Sequence, residues 1–183
     1  MSLFDPFPDI DTPRLHLRAV TRADAEDMLR INADLEVIRF LARPPAASID
    51  AIFEKIDSIQ DDVRTESAIS WKLADPVTGA YGGGAGLKCW DKTHRRAEVG
   101  YVLARERWGQ GLATEALVPI LRFGFERMNL HSVEARIHPD NGASRRVVEK
   151  LGFVQEGYLR ESYFNTACGA FEDTVVYSRL AGG

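Results

Sequence analysis

Two glycines near the middle of the chain, Gly109 and Gly111, could help to hold an anion. They stand in the segment Trp-Gly-Gln-Gly-Leu-Ala-Thr-Glu-Ala, after an alternating apolar run and before a long amphipathic run. The first run predicts a strand and the second a helix, so the glycines form a tight loop between them. The first N–H groups of a helix lack intrahelical acceptors and favour a phosphate. The loop therefore predicts phosphate binding, with a plain strand-to-helix turn as the alternative.

Two phosphate-binding motifs can be compared with this loop. The P-loop pattern G-x-x-x-x-G-K-[ST] does not occur in the sequence. The dinucleotide pattern G-x-G-x-x-G is met by Gly109 and Gly111 but has Thr114 at its third glycine. An acid that could bind a ribose, Glu134, follows about 20 residues later, although in the middle of a predicted strand. A nicotinamide-dependent oxidoreductase is therefore left open as the lesser alternative.

The spacing of apolar residues predicts the elements that must position this loop. The predicted strands cover residues 14–20, 69–73, 81–90, 97–104, 133–137, 153–164 and 171–180. The predicted helices begin after Thr21, after Ser48 and after Gly111, and the last covers 141–151. This order indicates an α/β (α+β) fold with an antiparallel first half and a βαβ unit in the second. Because no repeat or linker divides the chain, we predict one domain over residues 1–183, with a core at about 12–180.

The composition is that of a folded protein, with 45% hydrophobic and 27% charged residues, which excludes disorder, collagen and coiled coil. A net charge of −4 is unfavourable for non-specific binding to nucleic acid or an anionic membrane. The two cysteines, Cys89 and Cys168, are too few for a disulfide framework or a zinc site. No window approaches the roughly 20 apolar residues of a membrane span. We therefore expect a cytoplasmic protein with no metal, nucleic-acid or membrane partner.

The segment from Trp108 to Ala116 resembles the pyrophosphate loop of the GNAT N-acetyltransferase superfamily, [Q/R]-x-x-G-x-[G/A]. Gly111 and Ala113 match the last two marked positions, and Trp108 stands where most of the superfamily has Gln or Arg. The form with Trp is similar to the branch of the ribosomal-protein N-terminal acetyltransferases, the RimJ/RimL type. Three further segments resemble the same branch, at 12–18, 138–144 and 149–153.

This resemblance implies a fold and a cosubstrate. The fold would be a single-domain GNAT fold, a mixed and mostly antiparallel central sheet flanked by helices. Two splayed parallel strands, 97–104 and 132–138, would form the acetyl-CoA cleft, with a bulge at 102–103. No metal is implied. The cofactor-binding residues implied are Tyr101, Val102, Leu103, Trp108, Gly109, Gln110, Gly111, Leu112, Ala113, Thr114, Asn141, Ser144 and Arg146.

Transfer of an acetyl group to an amine requires a base for the amine proton. Glu98 is the first candidate, because it resembles a strand position that carries a catalytic Glu in some superfamily members. The alternative is an exposed residue paired with Arg95 or Arg96. RimL-type enzymes instead have an acid on the late strand, where this chain has Tyr163, with Glu161 expected on the same strand face. A water chain is the third possibility.

The reaction also requires a donor for the oxyanion and a group for the leaving thiolate. A backbone N–H near Leu103 could polarise the thioester carbonyl. The resemblance places Ser144 beside the CoA sulfur, and the alternative is a serine that satisfies N–H groups in the first turn of a helix. Asn141 could bind the cofactor, cap that helix, or do both.

The sequence therefore predicts an acetyl-CoA-dependent N-acetyltransferase, in which the amine attacks directly in a ternary complex. The resemblance implies a protein N-terminal α-amine as the acceptor. A polyamine, an amino acid or an amine antibiotic is left open, as is a CoA-binding module without catalysis. A homodimer is compatible with the composition.

Overall fold

In the computed structural model, which describes residues 2–182, eight strands form one sheet in the order β1-β2-β3-β4-β5-β6-β8-β7. The strands are β1 (Ile10–Asp11), β2 (His16–Ala19), β3 (Ile69–Ala74), β4 (Tyr81–Asp91), β5 (Arg96–Leu103), β6 (Ser132–Ile137), β7 (Val154–Asn165) and β8 (Ala170–Leu180). The α-helices are α1 (Ala25–Ala33), α2 (Leu35–Ile38), α3 (Ile49–Thr65), α4 (Leu112–Glu126) and α5 (Gly142–Lys150). None of the helices within residues 2–182 is long and apolar enough to cross a membrane.

Local capping fixes where the predicted helices begin. The Ser48 hydroxyl accepts a hydrogen bond from the Ala51 amide at 3.2 Å, and the Asn141 side chain accepts one from the Ser144 amide at 3.1 Å. The helix expected after Thr21 starts as a short 3-10 turn before α1. The sequence did not predict β1 or α2, because two and four residues are too short to show a periodicity.

The parallel pair β5 and β6 is the feature that opens the sheet. The two strands pair over three positions, Arg96 with Ser132, Ala97 with Val133 and Glu98 with Glu134. Beyond these pairs β5 continues to Leu103 and β6 to Ile137 without pairing to each other. All other neighbouring strands are antiparallel. The predicted mixed sheet with two splayed parallel strands is therefore confirmed.

The predicted bulge at 102–103 of β5 is wrong. The register of β5 against β4 runs unbroken from Glu98 to Leu103, and the shift lies between Lys88 and Asp91 on β4. Near Leu103, β5 lies against Gly83 of β4. A Cβ at Gly83, where φ is +151°, would lie 2.3 Å from the Val102 carbonyl oxygen, so glycine is needed for this approach. The strands can approach closely there, so β5 stays regular.

The sheet has two covered faces. Ala97, Val99 and Leu103 of β5 pack in the larger core, with α4 and α5, whereas Val102 packs against the smaller core, with α1 and α3. Side chains alternate along a strand, so Glu98 lies on the same face as Val102. The gap between β5 and β6 therefore connects a face covered by α4 and α5 with a face covered by α1 and α3.

Candidate active site

A cavity of about 970 Å³ lies where β5 and β6 diverge. The predicted site residues in its lining are Glu98, Tyr101, Val102, Leu103, Trp108, Gly109, Gly111, Leu112, Ala113, Thr114, Asn141, Ser144, Arg146 and Tyr163. The fold thus brings residues from both halves of the chain to one cleft. Gln110 lies outside the lining, and its side chain donates to the Glu106 carbonyl oxygen at 2.8 Å.

The loop before α4 has the geometry of an anion site. Gly109 and Gly111 have φ angles of +72° and +77°, in the left-handed region that glycine adopts most easily. The first intrahelical hydrogen bond runs from the Glu115 amide to the Gly111 carbonyl at 3.0 Å. The amides at 112–114 consequently have no intrahelical acceptor, at the positive end of the helix dipole. This cradle suits a pyrophosphate.

A carboxylate that sequence analysis missed holds the loop in place. Glu115, in the first turn of α4, accepts from the Thr12 hydroxyl at 2.7 Å and from the Arg14 Nε at 2.7 Å. Arg14 also donates from Nη1 to the Gln110 carbonyl at 2.9 Å. Burial acts to raise the pKa of Glu115, but these donors outweigh it and lower that pKa. No local pattern could have indicated this link, since its partners lie 101 to 103 residues from Glu115.

The end of β5 presents a backbone donor to the cleft. The Ala104 amide donates to the Gly82 carbonyl of the β4 side at 3.0 Å. Because neighbouring residues of a strand turn their backbone groups to opposite edges, the N–H and C=O of Leu103 face the cleft. The indole Nε1 of Trp108 donates to that Leu103 carbonyl at 2.9 Å. The side chain of Trp108, which stands where most of the superfamily has Gln or Arg, is thereby fixed against β5. The Leu103 N–H lies beside this contact.

The start of α5 forms the opposite wall. Within the described part of the chain, the Ser144 hydroxyl has no hydrogen-bond partner, and Asn141 caps the Ser144 amide. The alternative role of Ser144, satisfying N–H groups of its helix, is therefore wrong. Tyr101 donates from its hydroxyl to the Ser144 carbonyl at 3.3 Å, and burial raises the pKa of Tyr101. The two walls of the cleft meet through this contact.

Glu98 lies at the narrow end of the cleft with its carboxylate held by two cations. Lys88 Nζ is 2.8 Å from Oε1, and Arg136 Nε is 4.0 Å from Oε2. The Glu98 side chain is 19% exposed. The expected alternative partners are wrong, since Arg95 binds Asn129 and Arg96 lies near Asp91. A partly buried carboxylate therefore faces the cavity on the α1 and α3 side.

Tyr163 lines the cavity and is hydrogen-bonded to a carboxylate outside the lining that the sequence did not indicate. Its hydroxyl donates to Glu172 Oε2 at 2.7 Å, and the two residues are register partners on β7 and β8. His138 Nε2 is 3.9 Å from the same oxygen. Burial and Glu172 raise the pKa of Tyr163. Burial acts to raise the pKa of Glu172, but its donors, Tyr163 first among them, lower it overall.

The expectation that Glu161 shares a face with Tyr163 is wrong. A bulge lies between Leu159 and Tyr163, and Glu161 within it has a φ of +47°. A bulge interrupts the alternation of side chains along a strand. Glu161 is exposed and lies outside the cavity lining. Of the two late-strand residues considered, Tyr163 therefore lines the cavity and Glu161 does not.

Neither cysteine lies in the lining of the cavity. Cys89 and Cys168 are free thiols. Within residues 2–182, no group of three or more His, Cys, Asp or Glu side chains is placed to hold a metal ion. The polar groups that face the cavity are backbone amides, hydroxyls, the carboxylates of Glu36 and Glu98, and several cations.

A mixed sheet that opens over a glycine loop and a helix N-terminus is the arrangement that the GNAT resemblance implies for the binding of acetyl-CoA. The sequence profile described as the Acetyltransferase (GNAT) domain matches residues 14–154. The chain belongs to the GNAT acetyltransferase family. It is an N-acetyltransferase that uses acetyl-CoA, so the alternatives of a nicotinamide oxidoreductase and of a module without catalysis are set aside.

Three known proteins illustrate the relationship. The uncharacterized N-acetyltransferase YoaA of Bacillus subtilis is 33% identical over 172 residues, 94% of this chain and 96% of YoaA. Spermidine N(1)-acetyltransferase of Vibrio cholerae is 26% identical over 152 residues, 82% of this chain and 85% of the relative. The structure of RimL, a ribosomal L7/L12 α-N-protein acetyltransferase in complex with coenzyme A, is 17% identical. It has a TM-score of 0.83 over 94% of this chain and 98% of that chain, and so shares the fold.

Proposed function

We propose that the chain transfers the acetyl group of acetyl-CoA to the α-amine at the N-terminus of a protein. The charge of the cavity carries this proposal. Among the described residues, the acids in its lining are Glu36 and Glu98, and Glu98 is already paired with Lys88. A polyamine carries several positive charges and needs several free carboxylates in its binding site, whereas a protein N-terminus carries a single positive charge.

The acceptor would enter on the α2 side of the cavity. Apolar and aromatic side chains lie there, namely Val37, Phe40, Leu41 and Phe164. Phe40 also stacks against His138, with ring centroids 5.1 Å apart. A surface of this kind suits a peptide whose first side chains are neutral, since aromatic contacts stabilise such chains without any charge. It offers little to a linear polyamine.

The donor would bind from the α4 and α5 side. Acetyl-CoA supplies an activated acetyl thioester. The free amides at 112–114 and the side chains of Arg146 and Lys150 line the cavity and provide positive potential for its phosphates. The N–H of Leu103, turned toward the cleft, would donate to the thioester carbonyl oxygen as charge develops on it.

Three side chains would handle the protons. Glu98 would accept the proton of the amine, directly or through water. Tyr163 commits its own proton to Glu172, so its oxygen can accept a hydrogen bond from the amine and orient it. Ser144, with its hydroxyl unpaired, would donate to the leaving sulfur. An α-amine has a pKa of about 7.7–8.0, so a weak base suffices to free it near neutral pH.

An amine panel tests the proposal. With saturating acetyl-CoA, release of the CoA thiol and the mass of the product would be measured for peptides with a free N-terminus, for spermidine and for free amino acids. We expect acetylation of the peptides. An N-terminally blocked peptide that contains lysine is the matched control, and it should stay unmodified.

The competing acceptor is a polyamine, which the spermidine acetyltransferase relative favours. A higher kcat/KM for spermidine than for every peptide would overturn the proposal. Acetylation of the blocked peptide on lysine would also overturn it, because the site would then accept a side-chain amine.

A further inference from the structure

A second polar cluster lies outside the lining of the cavity, between a residue of α1, a residue of α3 and the loop that follows α2. Asn32, 1% exposed, uses its side-chain oxygen to accept from Lys55 Nζ at 3.0 Å and from the Arg43 guanidinium. Its amide nitrogen donates to the Met28 carbonyl at 2.6 Å. Two cations from different parts of the chain thus converge on one neutral oxygen.

These cations lack a counter-ion. Within residues 2–182, neither Arg43 nor Lys55 has a carboxylate oxygen within 4.0 Å, and no carboxylate contributes to the pKa of either group. Another partly buried cation of the chain, Lys72, does have one, since its Nζ lies 2.8 Å from Asp24.

The arrangement is unfavourable as it stands. Both side chains are partly buried, so they have lost hydration and repel each other. Burial, and then the charge of Arg43, lower the pKa of Lys55 to about 8. Burial also lowers the pKa of Arg43. An anion between the two groups would relieve both costs, because charge-assisted hydrogen bonds to a carboxylate are among the stronger ones.

We propose that Arg43 and Lys55, with Asn32 between them, form a binding site for a carboxylate. An arginine and a lysine can hold the two oxygens of one such group. The site lies close to the acceptor side of the cavity. Leu41 and Ala42 line the cavity, and Arg43 directly follows them in the chain. The carboxylate therefore comes either from the amine acceptor itself or from a separate small acid. The first source rests on the proposed function, and the second does not.

Thermal unfolding tests the site without any need for catalysis. Wild-type protein would be heated in sodium glutarate and in sodium chloride of equal ionic strength. We expect glutarate to raise the Tm by about 2–4 °C, the shift that a stabilisation of roughly 1 kcal/mol gives in a domain of this size. Lys55→Met should abolish the glutarate effect. It should also raise the Tm in chloride, because it removes one of two repelling charges.

Arg64→Gln is the matched control, because Arg64 lies on the same helix and already pairs with Asp61 at 3.2 Å. This variant should respond to glutarate as the wild type does. If Lys55→Met fails to fold, Arg43→Gln replaces it. An equal response to glutarate in the wild type and in the Lys55 or Arg43 variant would overturn the proposal, as would the lack of any response in the wild type.

Kinetics then distinguish the two sources of the carboxylate. Two peptides would be compared that differ only in Glu or Gln as the second residue. A several-fold higher kcat/KM for the Glu peptide, lost in Lys55→Met and kept in Arg64→Gln, supports the acceptor as the source. Equal kcat/KM values, together with stabilisation by glutarate, support a separate acid. If no peptide is acetylated at all, the proposed function fails while the thermal result still decides the site.

Discussion

Arg14 and Glu115 are 101 residues apart in the sequence, and their side chains meet at the edge of the glycine loop. The guanidinium Nε donates to Oε2 at 2.7 Å, and the Arg14 backbone amide donates to Oε1 at 2.8 Å. Glu115 belongs to the first turn of α4, whose free amides form the anion cradle. The position of that cradle relative to the sheet is thus set by a contact with the segment that directly precedes β2.

Glu115→Gln should weaken the use of acetyl-CoA. The amide keeps the shape but loses the charge that holds Arg14, so we expect the KM for acetyl-CoA to rise about 10-fold, equivalent to roughly 1.4 kcal/mol, with kcat little changed. Initial rates over a range of acetyl-CoA concentrations measure this. Glu126→Gln, an exposed position at the other end of the same helix, is the control. Equal KM values in the two variants would contradict the role of the contact.

Gly111→Ala should raise the KM for acetyl-CoA by a similar factor. A Cβ at a φ of +77° costs about 1–2 kcal/mol, and relief of that strain would turn the loop amides away from the phosphates. Gly79→Ala is the control, because its φ is +72° and its Cβ would meet nothing within 4 Å in a remote turn. We expect similar losses of Tm in both variants, and a changed KM in Gly111→Ala alone. A normal KM there would argue against the cradle.

Glu98→Gln should lower kcat about 100-fold at saturating acetyl-CoA, since a positioned base contributes on that scale. The KM for acetyl-CoA should not change. Glu134→Gln is closely matched, because Glu134 is the register partner of Glu98 on β6 and lies outside the cavity lining. Rates near wild type in Glu98→Gln would assign the proton transfer to water or to another group.

Tyr163→Phe should raise the KM for the acceptor amine and lower kcat several-fold, because the amine loses an oriented acceptor. Tyr158→Phe is the control. Tyr158 lies on β7 like Tyr163 and also donates to a carboxylate, that of Asp173, but it lies outside the cavity lining. Steady-state kinetics with the acceptor varied would separate the two. An unchanged KM in Tyr163→Phe would remove Tyr163 from the site.

Lys55 makes stability depend on pH in an alkaline window. Its pKa is about 8 in the folded chain against an ordinary 10.5, so between these values the unfolded chain holds more protons. The free energy of unfolding should therefore rise with pH from about 8 to 10.5 on account of this group. Below pH 8 Lys55 is charged in both the folded and the unfolded chain, so the whole cost of burying its charge lowers the free energy of unfolding. Urea unfolding of wild type and Lys55→Met should show a difference that shrinks across this window, and a constant difference would contradict it.

The anion loop could be predicted from sequence because its chemistry is local. Gly109, Gly111 and the start of α4 are consecutive, so residue type alone indicates the left-handed backbone and the free amides. The partners of the catalytic candidates could not be predicted in the same way. Lys88 meets Glu98 across a strand pair, and Glu172 meets Tyr163 only in the register that the bulge of β7 sets.

The gap between β5 and β6 opens to both faces of the sheet, and this has a consequence for the order of events. With acetyl-CoA bound from the side of α4 and α5 and the amine from the side of α1 and α3, as we propose, neither molecule blocks the path of the other. Either can arrive first, and the two products can depart independently. An acceptor as large as a folded protein could then stay bound on the side of α1 and α3 while CoA dissociates and a new acetyl-CoA binds on the side of α4 and α5.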